Sequence, residues 1–207
     1  MTRDQLLALL LKGTDARPVT LNGGVLLCHK PFEAPMAYLH RIYPSITPQQ
    51  LRTIERDLGR KVPESYGDFL CSVGNGARLF EISLYGYVGQ LRRDLTDPLG
   101  QPISLNYGNA IERPDGLDED TFAIGGMVGW SSSGTLVMEP TGEVLLVHQR
   151  DGRDIAARWR GLNEMLEEEI ARCSPLYDRT GRLLASATET MHPAGRKWET
   201  STEPLLH

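Results

Sequence analysis

Cysteine and histidine, the residues that most often build disulfides and metal sites, are scarce in this chain. Three cysteines and five histidines occur among 207 residues. Cys28, Cys71 and Cys173 stand far apart and form no C-x-x-C pair, so their spacing predicts neither a disulfide framework nor a zinc knuckle. No two histidines have the H-x-x-x-H or H-E-x-x-H spacing that places two rings on one metal ion. We therefore expect no metal, and the thiols are typical of a protein in the reducing cytoplasm.

Lysine and arginine are outnumbered by acidic residues, which bears on the kind of partner. The chain has 22 basic and 27 acidic residues, and its net charge is −5. A nucleic-acid-binding surface needs clustered lysines and arginines that displace counterions from phosphates. We therefore expect no nucleic-acid partner, and the charge balance favours a protein partner with a basic surface.

Long apolar runs are also missing. The longest covers residues 6–11, whereas a helix that spans a bilayer needs about 20 apolar residues. The run is followed by Gly-Thr-Asp-Ala-Arg rather than by the small-residue cleavage site of a secretory signal. The sequence predicts an amphipathic N-terminal helix packed on the body of the protein, no membrane partner and a cytoplasmic location.

The glycine-rich segment 125–134 lacks the spacing of the common catalytic and cofactor-binding loops. It contains neither G-K-[ST] nor G-x-G-x-x-G, so we expect no bound cofactor. Ser131 misses the G-x-S-x-G nucleophile elbow by one position, because Ser133 stands where the second glycine belongs. We expect a protein that is not an enzyme. A hydrolase that uses Ser131, Ser132 or Ser133 with His148 as the base stays as the third alternative.

The segment 46–76 has the punctuation of two consecutive helices. Thr47 and Gln50 form a T-x-x-Q capping box, Pro48 stands at the first helical position, and Gly59 supplies the left-handed residue that ends the first helix. Pro63 begins a second helix. Apolar residues recur at helical spacing in both, at Leu51, Ile54 and Leu58 and at Tyr66, Phe69, Leu70 and Val73. The spacing predicts a helical pair with one buried face.

Alternating and turn-bounded segments predict the strands. Asn22-Gly23 is the strongest short hairpin signal, because a type I′ turn needs positive φ at both positions. A second hairpin is expected across residues 140–142. Alternation over 79–88 predicts one strand, and residues 121–124 predict another.

The remaining segments complete the expected fold. Residues 31–44 are expected to form a loop with one helical turn near 36–41, and residues 155–170 to form a closing helix with an acidic outer surface. The sequence therefore predicts an α+β fold with an N-terminal helical pair, a mostly antiparallel sheet of about five or six strands and a closing C-terminal helix.

One composite motif, E-x-x-L-G-x-x-x-P-x-x-Y-x-x-F-L followed by N-G, resembles the SUKH superfamily of bacterial immunity proteins and fungal cell-wall-assembly regulators. Its residues in this chain are Glu55, Leu58, Gly59, Pro63, Tyr66, Phe69, Leu70, Asn75 and Gly76. Similar pieces continue as F-A-I-G-G from Phe122, L-V-M-E-P-T-G-E-V-L from Leu136 and W-R-G-L-N-E-M-L from Trp159.

The resemblance implies a binding protein rather than an enzyme, most often an immunity protein that neutralises a cognate toxin by tight binding. A regulatory adaptor related to the fungal cell-wall-assembly regulators is the second alternative. The resemblance also divides the chain into an N-terminal helix and hairpin extension at residues 1–45, a SUKH-like domain at 46–173 and a C-terminal tail at 174–207.

An acidic loop and three aromatic residues are the candidate partner-binding groups. The carboxylates of the loop are Asp115, Asp118, Glu119 and Asp120, and the aromatic residues are Tyr85, Tyr87 and Trp130. The carboxylates either form a solvated loop or steer a basic partner by long-range attraction. The aromatic residues are either core residues or, if exposed together, interface anchors.

Overall fold

One meandering antiparallel sheet organises the chain. The computed structural model describes residues 1–90, 94, 96–128, 133–187, 190 and 192–201. Within these residues nine strands pair in sequence order. They are β1 (Val19–Leu21), β2 (Gly24–His29), β3 (Tyr38–Ile42), β4 (Ala77–Leu79), β5 (Ile82–Leu84), β6 (Phe122–Val128), β7 (Ser133–Met138), β8 (Val144–His148) and β9 (Ile155–Trp159).

Four α-helices of the described residues accompany the sheet. They are α1 (Arg3–Leu11), α2 (Pro48–Leu58), α3 (Glu64–Ser72) and α4 (Leu162–Cys173). A π-helix covers Tyr107–Ile111, and 3₁₀-helices cover Ser174–Leu176 and Pro193–Ser201. Of the helices in this part of the chain, none has the length and apolar character that a membrane crossing requires.

The α+β class and the antiparallel sheet are confirmed, but the sheet has nine strands rather than five or six. The predicted helical turn near 36–41 is wrong, because β3 pairs with β2 on one side and with β4 on the other. These two neighbours satisfy the backbone polar groups of β3. The strand predicted over 79–88 is instead the hairpin β4–β5, which turns at Phe80 and Glu81.

The closing helix begins later than predicted. Residues 155–159 form β9 against β8, and α4 starts at Leu162 after Gly161. Ile155 and Trp159 are four residues apart, so they fit a helical face as well as a strand. Pairing with β8 decides between the two structures, because it provides backbone hydrogen bonds that a single apolar face does not specify.

The locally specified features have the expected geometry. The Thr47 hydroxyl accepts from the Gln50 amide at 3.2 Å, the Gln50 side chain accepts from the Thr47 amide at 2.9 Å, and Gly59 has φ 67°. Asn22 and Gly23 have φ 49° and 79°, both positive, in the β1–β2 hairpin. The predicted capping box and type I′ hairpin signal are confirmed.

Arg3 ties the first helix to the body through three hydrogen bonds. The guanidinium of Arg3 donates to the carbonyls of Val73 (2.6 Å) and Gly23 (3.1 Å) and to the hydroxyl of Ser45 (2.9 Å). Residues from before position 46 and after position 173, including Leu6, Leu27 and Trp198, belong to the same hydrophobic cluster as Phe69 and Phe122. The N-terminal and C-terminal parts therefore share one core with the central segment.

Tyr66 connects α3 to the middle of the sheet. Its side chain is fully buried, and its hydroxyl proton is shared between the carbonyls of Tyr85 (2.5 Å) and Ile124 (2.9 Å). Asn75 makes a similar link, because its amide donates to the Tyr87 carbonyl and its carbonyl accepts from the Tyr87 amide. Two residues of the SUKH-like motif thus hold the chain that leaves β5.

We expect Tyr66→Phe to lower the free energy of unfolding by about 1–3 kcal/mol, because two buried carbonyls lose a donor while the ring is kept. Urea denaturation gives the value. Tyr38→Phe is the control, since the half-buried Tyr38 has no hydroxyl hydrogen bond within the described residues and should change stability by less than about 0.5 kcal/mol. Equal midpoints for the two variants would contradict the structural role of Tyr66.

Candidate partner-binding site

The π-helix and the acidic loop follow each other in the chain before β6, and both carry exposed side chains. Ile111 and Tyr107 are 72% and 38% exposed, and the carboxylates that follow them in the chain are exposed as well. We call this surface the acidic face. It consists of Tyr107, Ile111, Glu112, Asp115, Asp118, Glu119 and Asp120.

Asn109 attaches the π-helix to the sheet. Its side-chain amide donates to the carbonyls of Leu105 (2.9 Å) and Ala123 (2.7 Å), and its side-chain carbonyl accepts from the Ala123 amide (2.9 Å). Asn109 is 9% exposed, so these bonds are shielded from water. The side chain therefore pairs with β6 much as a neighbouring strand does, and it holds Tyr107 and Ile111 on the outside.

Two arginines hold the C-terminal half of the acidic loop through its backbone. Arg113 donates to the carbonyls of Asp118 (2.6 Å) and Thr121 (2.8 Å). Arg60 donates to the carbonyls of Glu119 (2.9 Å) and Thr121 (3.0 Å). Burial, followed by the charge of Arg60, lowers the pKa of Arg113, so the two cations lie close enough to interact.

The beginning of the loop is attached to the β8–β9 turn. The Asp115 carbonyl accepts from the Gly152 amide at 2.8 Å, and Asp115 forms an isolated bridge with Asp151. Gly116 has φ 74°, and a Cβ at this position would lie 2.8 Å from Nε of Arg153. The loop is therefore anchored at both of its ends.

The backbone contacts leave the side chains of the loop unpaired. Among the described residues, Asp115, Asp118, Glu119 and Asp120 form no ion pair within 4.0 Å. The charge of Glu119 opposes the burial that lowers the pKa of the nearby Arg113, but no direct ion pair engages the loop carboxylates in the described residues. The loop is held in shape by its main chain and presents four charges outward.

At the other end of the face, Glu112 interacts with Tyr107. The hydrogen bond from the Tyr107 hydroxyl to Glu112 raises the pKa of Tyr107, and burial adds to the shift. The hydroxyl of Tyr107 and the first carboxylate of the face therefore lie close to each other. An apolar group and an acidic group stand side by side here, which is typical of the border between the core and the rim of a protein interface.

The aromatic residues expected to be anchors are distributed differently. Tyr85 is 8% exposed, and burial, followed by the charges of Tyr107 and Glu112, raises its pKa to about 12. Its ring lies under the π-helix, where a Cβ on Gly108 would lie 2.5 Å from Cε2. This burial corrects the expectation of an exposed anchor at Tyr85. Tyr87 is half-buried, and Trp130 lies outside the described residues.

The groups of the hydrolase alternative are only partly described. Ser131 and Ser132 lie outside the described residues, and Ser133 begins β7. Nδ1 of His148 accepts from the Arg150 amide at 3.4 Å, so the neutral ring carries its proton on Nε2. To act as a general base through Nε2, His148 would need the other tautomer, in which the proton is on Nδ1.

The Asp154 carboxylate, directly before β9, binds residues near the C-terminus. It accepts from Nζ of Lys197 and from Nε1 of Trp198, the latter at 2.6 Å. The hydrogen bond from Lys197 is the main reason why the pKa of Asp154 is lowered. In the described part of the chain no group of three His, Cys, Asp or Glu side chains is placed to hold a metal ion.

Sequence reasoning missed Tyr107 and Ile111 because residues 94–120 showed only turn residues and no periodic pattern. The four-residue separation of the pair on a helical turn was the available signal, but the exposure of the pair depends on Asn109 and Tyr85. Neither the models of known protein families nor the characterised proteins with which the chain was compared give a match. The resemblance to the SUKH superfamily therefore stays a prediction from its motif residues.

We expect Asn109→Ala to loosen the acidic face, because the buried Ala123 amide and two carbonyls lose their partners. Hydrogen exchange in peptides that cover residues 107–121 should become faster by about tenfold or more, which corresponds to about 1.4 kcal/mol of local opening. Asn106→Ala is the matched control, since Asn106 is exposed and its side chain makes no capping bond. Similar exchange in both variants would contradict the anchoring role of Asn109.

Proposed function

We propose that this protein is an immunity-type binding protein that neutralises a cognate bacterial toxin by direct contact through the acidic face. The observation that carries the proposal is the arrangement of charge. Arg60 and Arg113 donate to main-chain carbonyls, while the carboxylates of Asp118, Glu119 and Asp120 point to solvent without ion pairs in the described residues.

The charge of the face suits the capture of a basic protein. A cluster of exposed carboxylates raises the association rate with a cationic partner by long-range steering. The overall net charge of −5 acts in the same direction. An inhibitor that must bind its toxin before the toxin reaches its target benefits from fast association, and the partner is accordingly a toxin with a basic binding surface.

The apolar part of the face supplies the short-range contribution. Ile111 and Tyr107 protrude beside the carboxylates, and removal of their surface from water on binding stabilises a complex. Interfaces combine an apolar or aromatic centre with a charged rim, and tyrosine is enriched among the residues that dominate affinity. Because Asn109 and the two arginines order the face before binding, little entropy is lost when the partner docks.

The proposed mechanism is occlusion, in which the bound protein covers the functional surface of the toxin. The protein acts in the cytoplasm as a stoichiometric binder, without metal or cofactor and without catalysis. The SUKH-like motif residues Tyr66 and Asn75 support the fold beneath the face rather than forming part of it. A regulatory adaptor could use the same surface, so the partner distinguishes the two functions.

Co-expression tests the proposal directly. We expect this protein to protect cells that express the toxin encoded beside its own gene, and to co-purify with that toxin. A variant that carries Asp118→Asn, Glu119→Gln and Asp120→Asn together with Ile111→Ala should lose protection while it keeps the unfolding midpoint of the parent. Death of cells that express the intact protein and the toxin would refute the immunity function, and the adaptor would become the leading function.

Binding kinetics should separate the two parts of the face. Neutralisation of Asp118, Glu119 and Asp120 should slow association with the purified toxin by about tenfold or more at low salt, and the effect should fade above about 0.1 M salt. Ile111→Ala should instead speed dissociation and weaken binding by about 1–2 kcal/mol. Both rates are available from surface-based binding measurements over a salt series.

The chain offers a control for each change. Asp4→Asn, Asp68→Asn and Glu167→Gln remove the same charge from exposed positions on α1, α3 and α4, and Val19→Ala shortens an exposed residue of β1. Equal slowing by both triple variants would show that net charge, rather than the acidic face, steers the partner. Equal dissociation of Ile111→Ala and Val19→Ala would remove Ile111 from the interface.

A further inference from the structure

A cleft of about 480 Å³ lies where the ends of α1 and α4 meet the β2–β4 part of the sheet. No residue of the acidic face belongs to it. Its walls are mostly apolar and include Leu9, Leu10, Leu39, Phe80, Ile170 and Pro175. Small-molecule sites typically measure roughly 300–1,000 Å³ and combine an apolar lining with a few polar groups.

His40 is the buried polar group of this cleft. It is 1% exposed, and its Nδ1 accepts from the Phe80 amide at 3.4 Å. Burial, followed by the charge of Lys30, lowers the pKa of His40 to about 3, so the ring is neutral at neutral pH. Because Nδ1 accepts, the proton lies on Nε2.

The Nε2–H group of His40 has no hydrogen-bond partner in the described part of the chain. The His40 residue is 1% exposed, yet Nε2 is not among the fully enclosed unpaired side-chain atoms of the described residues, so this donor opens onto the cleft. An oxygen of a bound molecule would satisfy this donor. The chemistry of His40 therefore specifies a ligand that accepts a hydrogen bond.

The backbone has positive φ at two non-glycine residues that line the cleft. Cys28 and Phe80 both line it and have φ 54° and 51°. Among the described residues the only other non-glycine residue with positive φ is Asn22, in the hairpin turn. Phe80 takes this conformation in the two-residue β4–β5 turn, and such turns favour positive φ. Cys28 lies inside β2, where no turn accounts for positive φ, and strained backbone concentrates at ligand sites. At Phe80 this conformation accompanies the hydrogen bond to His40.

The aromatic rings of the cleft indicate that the ligand itself is aromatic. The centroids of Phe80 and Tyr177 lie 5.0 Å apart, and the His40 ring meets Phe80 edge-on at 4.5 Å. Lys12, Glu167 and Asp178 also line the cleft, and one positive charge against two carboxylates disfavours an anionic ligand. An ion would also lose its hydration beside the apolar walls.

We propose that this cleft binds a small uncharged aromatic molecule whose carbonyl or hydroxyl oxygen accepts a hydrogen bond from Nε2–H of His40. The site is built between the N-terminal helix and the C-terminal tail. It is separate from the acidic face, so its test does not depend on the toxin.

The test titrates the ¹⁵N-labelled protein with acetophenone, ethylbenzene and benzoate while NMR follows the His40 ring nitrogens and the amides around the cleft. Acetophenone should bind about tenfold more tightly than ethylbenzene, which has a similar shape but no acceptor, and it should shift the Nε2 resonance. Benzoate should bind more weakly than acetophenone. Equal affinities of acetophenone and ethylbenzene, or no saturable binding of acetophenone, would overturn the proposal.

Three variants locate the binding. Ala171→Trp places an indole at an exposed lining position and should abolish acetophenone binding, whereas Ala8→Trp, exposed on α1 outside the cleft, should preserve it. His40→Phe keeps a ring but removes the donor, and it should reduce acetophenone to the affinity of ethylbenzene. If His40→Phe does not fold, the two tryptophan variants still decide, because binding that survives Ala171→Trp would overturn the site.

Discussion

The hydroxyl of Tyr66 is the contact on which the rest of the structure depends. Its one proton is shared by the carbonyls of Tyr85 and Ile124, so α3 docks where β5 ends beside β6. Burial raises the pKa of Tyr66 well above its usual value, and the donor therefore keeps its proton. With the Tyr85 backbone held there, its ring lies beneath Gly108 and supports the π-helix from inside. The outward position of Ile111 follows from this arrangement.

The loop of the acidic face is ordered without using its carboxylates in ion pairs among the described residues. Ion pairs within the loop would fix its shape, but each pair would also cancel part of the field that attracts a cationic partner. Here Arg60 and Arg113 satisfy main-chain carbonyls, and Asn109 satisfies the edge of β6. Order and charge are thus supplied by different atoms, and the proposed binding function depends on this separation.

Buried polar contacts hold both ends of the described chain against the body of the protein. Glu169 is 2% exposed and pairs with Arg172, which also donates to the Thr190 carbonyl of the tail. A buried carboxylate without such a partner would be strongly destabilising. At the other end of the chain, Arg3 holds α1 in place by donating to the Val73 carbonyl. Because both ends are held against the sheet, a cleft forms between them that the central segment alone could not enclose.

The start of α2 at Thr47, its end at Gly59 and the turn at Asn22 were predictable, because each depends on residues three or four positions apart and on the sign of φ. The strands β3 and β9 were not, since a strand is stabilised by hydrogen bonds to partners that the sequence does not identify. The same limit applies to the site. The sequence determined that residues 112–120 are acidic and that Tyr85 is aromatic. Only the tertiary structure decided that Tyr85 is buried and Ile111 exposed, because the side of an apolar residue that meets water depends on what packs beneath it.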